Sequence, residues 1–378
     1  MKDKTTESKS LIEHLQVIPD PRMENKCAHP LVNIMAIAIC AIIAGADDWN
    51  TIELFGKNKR AWFERFLDLK SGIPSHDTFR RFFSILSPNT FQDFFASWVK
   101  DIAGQVKGVI AIDGKTARRS HGLGKKAIHM VSAWSVENKL VLGQVQTDEK
   151  SNEITAIPKL LSVLDVKNCI VTIDAMGCQK KITHKITDGG GDYVISLKGN
   201  QGNLCKQVEN IFNEFDISDI QKNGVDYYET AEKSRNRFER RRHWVIDVTD
   251  MAEMEIDADG WSNLHTIGMV ESQRTIGDKT SIEYRYYIGS IENDAKLFAH
   301  AVRAHWGVEN SMNWQLDMSF REDESRMRKG HSQENFAVMR HIALNLIKND
   351  KTTKLGVKNK RLRAGWDEDY LANLLMSG

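Results

Sequence analysis

The chain has 378 residues, 41% apolar and 27% charged, with only 6 prolines, which excludes a disordered, collagen-like or low-complexity polymer. At about 150 residues per domain, the length fits two or three domains or one elaborated one. Lys and Arg number 52 against 51 Asp and Glu, so the net charge of +1 by itself points to neither a nucleic-acid nor a membrane partner.

The N-terminus, MKDKTTESKS, has no apolar h-region, and neither a signal peptide nor an anchor is expected. Residues 10 to 104 read as helical. Leu11, Leu15 and Ile18 keep a helical spacing before the Pro19-Asp20-Pro21 break. Pro30 to Ala46 is almost wholly apolar yet shorter than the roughly 20 residues that span a bilayer. It predicts a buried helix. A charged and aromatic helix follows over 49–67. The segment GIPSHDTFRRFF then gives a turn, a Ser or Asp cap and a helix with paired arginines. This resembles the second half of a helix-turn-helix, a pattern that ordinary bundles share, so DNA reading by this helix is the less favoured of its two readings.

From Val106 the pattern changes to strands. Val109–Ile112 is a short apolar run ending in Asp113-Gly114, and Cys169–Ile173 is another ending in Asp174-Ala175. Between them lie alternating strands over 128–135 and 140–147 and a helix over 154–164; a further strand covers 193–197. Residues 222 to 289 are strand-rich and read as a β insertion. A long helix runs from Asp294 past Leu316, and another covers 335–348. Two runs are strongly basic: 233–243 holds six Lys or Arg and one Glu, and 348–363 holds seven and one Asp. The five cysteines, at 27, 40, 169, 178 and 205, form no C-x-x-C pair and leave one over, as reduced cytoplasmic thiols do.

Two Asp residues at the ends of buried strands need a partner, because a charge there is costly unless it is paired or binds a metal. Capping of the following turn through Gly114 or Gly177 is the bland alternative. Hard divalent ions are held by a few carboxylates, so a third acid is expected. Glu309 is the best candidate: helical spacing puts His305, Glu309 and Asn313 on one polar face. Asp317, Glu322 and Asp323 are its rivals. Other chemistries fail. Five residues separate the glycines of GVIAIDGKT where a P-loop has four, HGLG lacks a third glycine, and no G-x-S-x-G occurs.

The ordered set IAIDGKTARRS, VTIDAMGCQK, YVISLKGNQ, YRYYIGS, HWGVENSMNWQLDMSFREDESR and MRHIALNLIK, with DPRMENKCAHPL and GIPSHDTFRRFF before it, resembles the bacterial insertion-sequence transposases related to H-repeat-associated proteins of Rhs elements. The resemblance spans nearly the whole chain. It implies an α/β fold: a ribonuclease-H-like mixed sheet over 105–378 with a β insertion at about 205–290, preceded by a helical domain over 1–104 that has a possible role in binding DNA ends.

It further implies Asp113, Asp174 and Glu309 as a catalytic triad holding two Mg2+ ions, replaceable by Mn2+. The chemistry would be cleavage at element ends followed by attack of the freed 3′-OH on target DNA. A relative that only cuts, or an inactive one that only binds DNA, is the alternative. Phosphate-contact candidates are Lys115, Arg118, Arg119, Lys198, Arg237, Arg240, Arg241, Arg242, His305 and Asn313. Relatives often carry His at the position of Asn313. Trp306 and Trp314 read as core rather than as base-stacking residues. The implied partners are terminal-repeat and target DNA and a second copy of the chain, with no membrane and no nucleotide cofactor, in the bacterial cytoplasm at the nucleoid.

Overall fold

A computed structural model of the chain describes residues 10–23, 27–116, 129–147, 153–214, 224–249 and 256–376. Six helices come first: α1 (Leu11–Leu15), α2 (Leu31–Ile43), α3 (Trp49–Asn58), α4 (Arg60–Phe63), α5 (His76–Ile85) and α6 (Pro88–Ala103). Ser10, Asp48, Ser75 and Ser87 cap four of them by accepting from the backbone N–H three residues on. Only Val32 of α2 escapes full burial, because α1, α3, α12 (Ser332–Asn349) and α13 (Val357–Trp366) surround it. The helix expected over 49–67 breaks at Lys59, whose backbone leaves helical geometry (φ −103°, ψ 14°).

Three antiparallel strands follow, β1 (Gly108–Thr116), β2 (His129–Ser135) and β3 (Leu140–Gln146), then α7 (Glu153–Leu161), β4 (Cys169–Ile173), α8 (Lys180–Asp188), β5 (Asp192–Leu197) and α9 (Gly202–Glu214). β4 runs parallel to β1, and β5 parallel to β4. Two long hairpins complete the sheet: β6 (Val225–Ser234) with β7 (Arg237–Asp247), and β8 (Thr266–Ile276) with β9 (Lys279–Gly289). The strand order β3-β2-β1-β4-β5-β9-β8-β7-β6 is the ribonuclease-H-like mixed sheet, extended by the insertion. The insertion is therefore no separate body, since β9 pairs with β5 and continues the same sheet.

The expected β insertion at about 205–290 opens in a helix, α9, that lies ahead of the strand-rich 222–289 stretch and was not expected. This helix is amphipathic, burying Leu204, Val208 and Phe212 at helical spacing.

Last come α10 (Ala295–Val308), one π turn (Glu309–Asn313), α11 (Trp314–Met318), α12, α13 and α14 (Glu368–Met376). α10 lies across β1, β4, β5, β6 and β7, while α7 packs on β2 and β3 and α8 on β5. Gly268 on β8 permits this approach; a Cβ there would stand 2.5 Å from the Phe298 ring. The N-terminal helices do not stand apart. α6 packs on β3, and α12 packs on α2, α5, α6 and β3, so one apolar core runs from Leu11 through Val131 to Leu375.

The basic run 348–363 is split between surface and interior: Lys351, Lys354 and Lys358 are exposed, and Lys360 and Arg361 are buried. Lys360 is buried with its Nζ 3.1 Å from Asp350, Arg361 donates to the Ile42 carbonyl (2.7 Å), and Lys348 lies over the Trp134 ring. Desolvation lowers Arg361 to about 10 and Lys348 to about 8.

Candidate active site

β1 does not stop at Asp113. It continues to Thr116, held by β2 with Asp113 opposite Ser132, whereas its pairing with β4 ends at Ile112 and Ile173. Asp174 is the next residue after that last pair. Both acids thus leave neighbouring strands at one level, about 5 Å apart in the pairing direction. The parity of β1 sends Asp113 and Lys115 toward α10 and α11, and Gly114 the other way. There Glu153 and His129 press in, and a Cβ on Gly114 would sit 2.1 Å from Glu153 Oε1. Asp174 also caps the turn after β4, accepting from Met176 N (3.0 Å) and Gly177 N (3.4 Å). The capping reading holds for it, and its second oxygen is left for other work.

Glu309 opens the π turn that interrupts the long helix, so the expected unbroken i, i+4 row does not exist beyond it. Even so, His305, Glu309 and Asn313 face the strand-end acids. His305 Nδ1 is 3.3 Å from Thr172 Oγ1, Asn313 Nδ2 donates to Asp113 Oδ2 (2.9 Å), and Glu309 lines a cleft of about 250 Å³ with Asp113, Asp174, Lys198 and His305.

One turn further on, Lys115 donates to Asp317 and to Glu322 (2.8 Å). Two strand residues span about 6.6 Å and four helical residues about 6.0 Å, so Asp113/Lys115 and Asn313/Asp317 match as two rungs. This ladder fixes the register of α11 against β1. It also ties up Asp317 and Glu322, two of the three rivals to Glu309, on one shared cation.

The site is short of positive charge. Desolvation pushes the Asp113 carboxyl up to about 6, with Glu153 and Asp174 adding repulsion against the hydrogen bonds from Gly114 and Asn313. Burial also lowers His305, keeping it neutral at pH 7.

Two family models match the chain: "DDE_Tnp_1-associated" over residues 12–99 and "Transposase DDE domain" over residues 104–346. This chain belongs to the DDE transposase family. It is 43% identical over 376 residues to the "H repeat-associated putative transposase YhhI" of Escherichia coli (strain K12), covering 98% of each chain. It is 42% identical over 372 residues to the "Putative transposase YncI" of Escherichia coli O157:H7, covering 97% of this chain and 95% of that one. A cryo-EM structure of a piggyBac transposase synaptic complex with hairpin DNA superposes over 96% of this chain and 78% of that one, at a TM-score of 0.43 and 10% identity.

In donor chemistry the transposase cleft suits a hard divalent cation. Asp113, Asp174 and Glu309 line it together with Glu283, which Arg285 pairs (2.8 Å); desolvation raises the proton affinity of Asp113, and Asn313 Oδ1 is a buried acceptor with no partner beside it. Among the described residues, no three His, Cys, Asp or Glu side chains stand close enough to enclose an ion. Of the three acids, Asp174 and Glu309 are exposed and Asp113 is half-buried.

The other sequence candidates divide. Lys198 is exposed at the cleft rim on the turn after β5. Lys115 is engaged by its two acids and is not free for phosphate. In the hairpins Arg237 pairs with Glu239 (2.8 Å), Arg240 with Glu229 (2.9 Å), Arg241 with Glu239, and Arg242 with Glu271 (2.8 Å). Arg118 and Arg119 lie outside the described residues. Trp306 and Trp314 are not core, being 40% and 53% exposed: Phe298, Ala301, Val302 and Val308 are the buried side of α10, and Leu316 is that of α11. Trp306 instead carries the Arg285 guanidinium 4.3 Å over its ring. No helix among the described residues is long and apolar enough to cross a membrane.

Proposed function

We propose that this DDE transposase cuts DNA at the ends of an insertion sequence and joins the freed 3′-OH to target DNA, with Asp113, Asp174 and Glu309 as its acids. The observation that carries this reading is the raised Asp113 carboxyl beside Asp174 in a cleft that Glu309 completes. These three residues would hold Mg2+ or Mn2+, which when bound supplies Lewis acidity toward water and toward the departing 3′ oxygen.

The chain's own groups do the rest. Asn313 ties down one Asp113 oxygen and so sets the direction of the other. His305, neutral and held near Thr172 beside Asp174, accepts or passes on a proton near the attacked phosphate. Lys198 meets the phosphate's charge at the rim. The helices of 1–104 serve DNA-end binding, and two copies pair two ends in the cytoplasm at the nucleoid.

The test is cleavage of labelled duplex carrying the ends that flank this gene, with Mg2+ or Mn2+. Nicking at the ends by wild type, absent in Asp113→Asn, is expected, along with joined products when target DNA is added. No nicking by a folded, DNA-bound wild type would overturn the reading. Nicking without joined products would leave a nuclease. Sedimentation showing a monomer on end DNA would remove the pairing of copies.

A further inference from the structure

A second cleft, of about 530 Å³, lies away from the three acids, where α3 and α5 of the N-terminal helices meet the segment between α11 and α12. Its three acids are already used: Asp48 caps α3 through Thr51 N (2.8 Å), while Asp47 and Glu324 both face Arg321. Arg80 is paired with Asp77 (2.6 Å). Arg326 and Lys329 also line the cleft. Both are exposed, and among the described residues neither has an ion-pair partner. Its uncompensated charge is therefore positive.

Two further features point to an anion. Ser325 and Ser332, 8% and 1% exposed, stand at the cleft wall with hydroxyl groups that have no hydrogen-bond partner. A buried hydroxyl without a partner costs about 1–3 kcal/mol unless something meets it. Ser332 also begins α12, an 18-residue helix whose N-cap His331 supplies no side-chain hydrogen bond, so the positive end of the helix opens on the cleft.

We propose that this cleft binds a backbone phosphate of DNA outside the catalytic cleft, with Arg326 and Lys329 supplying the charge and Ser325, Ser332 and the α12 N-terminus the hydrogen bonds. It rests on the reading of the chain as a DNA-processing enzyme. A polymeric phosphate is favoured over a free one because the cleft is open and joins α5, whose Arg80 and Arg81 are outward-facing, to the segment leading directly from the catalytic helix. DNA held there would bridge the two regions that must act on one end.

Anisotropy of a labelled 30-bp duplex in EDTA, titrated with the full chain over a range of salt, tests this. Each phosphate contact contributes about 0.9 to the slope of log K against log salt. The double variant Arg326→Gln/Lys329→Gln should lose nearly 2 from that slope and bind about tenfold more weakly, while Arg326→Lys keeps the wild-type slope. An unchanged slope and affinity in a double variant that melts like wild type would overturn the proposal. So would inorganic phosphate raising the wild-type melting temperature as much as the duplex does, since the site would then be one for a free anion. Asp113→Asn should bind the duplex with the wild-type slope. Failure of cleavage and failure of this cleft are therefore read separately.

Discussion

On the β6–β9 hairpins, each buried carboxylate carries a guanidinium with it: Glu239 has Arg237, Arg241 and Arg274, and Glu271 has Arg242. In the cleft that Asp113, Asp174 and Glu309 line, the arrangement is reversed. Asp113 loses solvent, gains Asp174 and Glu153 as like-charged neighbours, and receives only hydrogen bonds in return. The hairpins are richer in charge, yet their charge is spent on holding cross-strand register. The cleft has fewer charges, held at a cost to stability, and uncompensated charge in a concave site marks chemistry better than charge density does.

The largest expected effect breaks this comparison at its centre. Asp113→Asn should reduce end cleavage by about a thousandfold or more and yet raise stability at neutral pH. A carboxyl raised from 3.8 to about 6 in the folded chain contributes stability that is full below 3.8 and lost as pH rises through about 6. The amide removes that loss, so melting curves should show the variant above wild type at pH 7.5 and the gap closing as pH falls toward 4. A gap that does not change with pH would show that the charge is not the cause. Divalent cation should raise the wild-type melting temperature and leave the variant's unmoved.

Next in size is the two-rung ladder. Lys115→Met strands Glu322, whose side chain is only 10% exposed, and should cost about 3–5 kcal/mol in urea unfolding. Adding Glu322→Gln should recover part of this, and a loss below about 1 kcal/mol would return Lys115 to the list of phosphate contacts. Arg242→Met leaves Glu271, 7% exposed, without its cation and with only the Tyr284 hydroxyl (3.2 Å) donating to it, and about 1–3 kcal/mol is expected with cleavage unchanged. Smallest is Arg240→Gln on the exposed hairpin surface, for which neither melting temperature nor cleavage should move measurably. A marked loss of cleavage in either hairpin variant would make those arginines functional and dissolve the contrast.

Much of the fold was legible because hydrophobic period is local. The buried α2, the core strands β1, β4 and β5, the strand-rich 222–289 region and the Glu309 helix all follow from spacing within a dozen residues. Asp113, Asp174 and Glu309 stood out the same way, as acids on otherwise apolar elements. What spacing could not show was which charges had partners. The 348–363 run read as one patch, yet folding buries Lys360 and Arg361 and leaves Lys351, Lys354 and Lys358 at the surface. Trp306 and Trp314 read as core and are exposed, because an aromatic on a helix carries no sign of which neighbour covers it.

By itself, then, the sequence determined the type and order of most elements and singled out three acids as candidates, since period, capping residues and strand ends are properties of neighbouring residues. Only the tertiary structure decided that α2 and α12 share one core, that a π turn sets Glu309, and that Lys115 answers Glu322 across 207 positions of chain. Compensation of a buried charge depends on what folding brings beside it, and no local pattern carries that information.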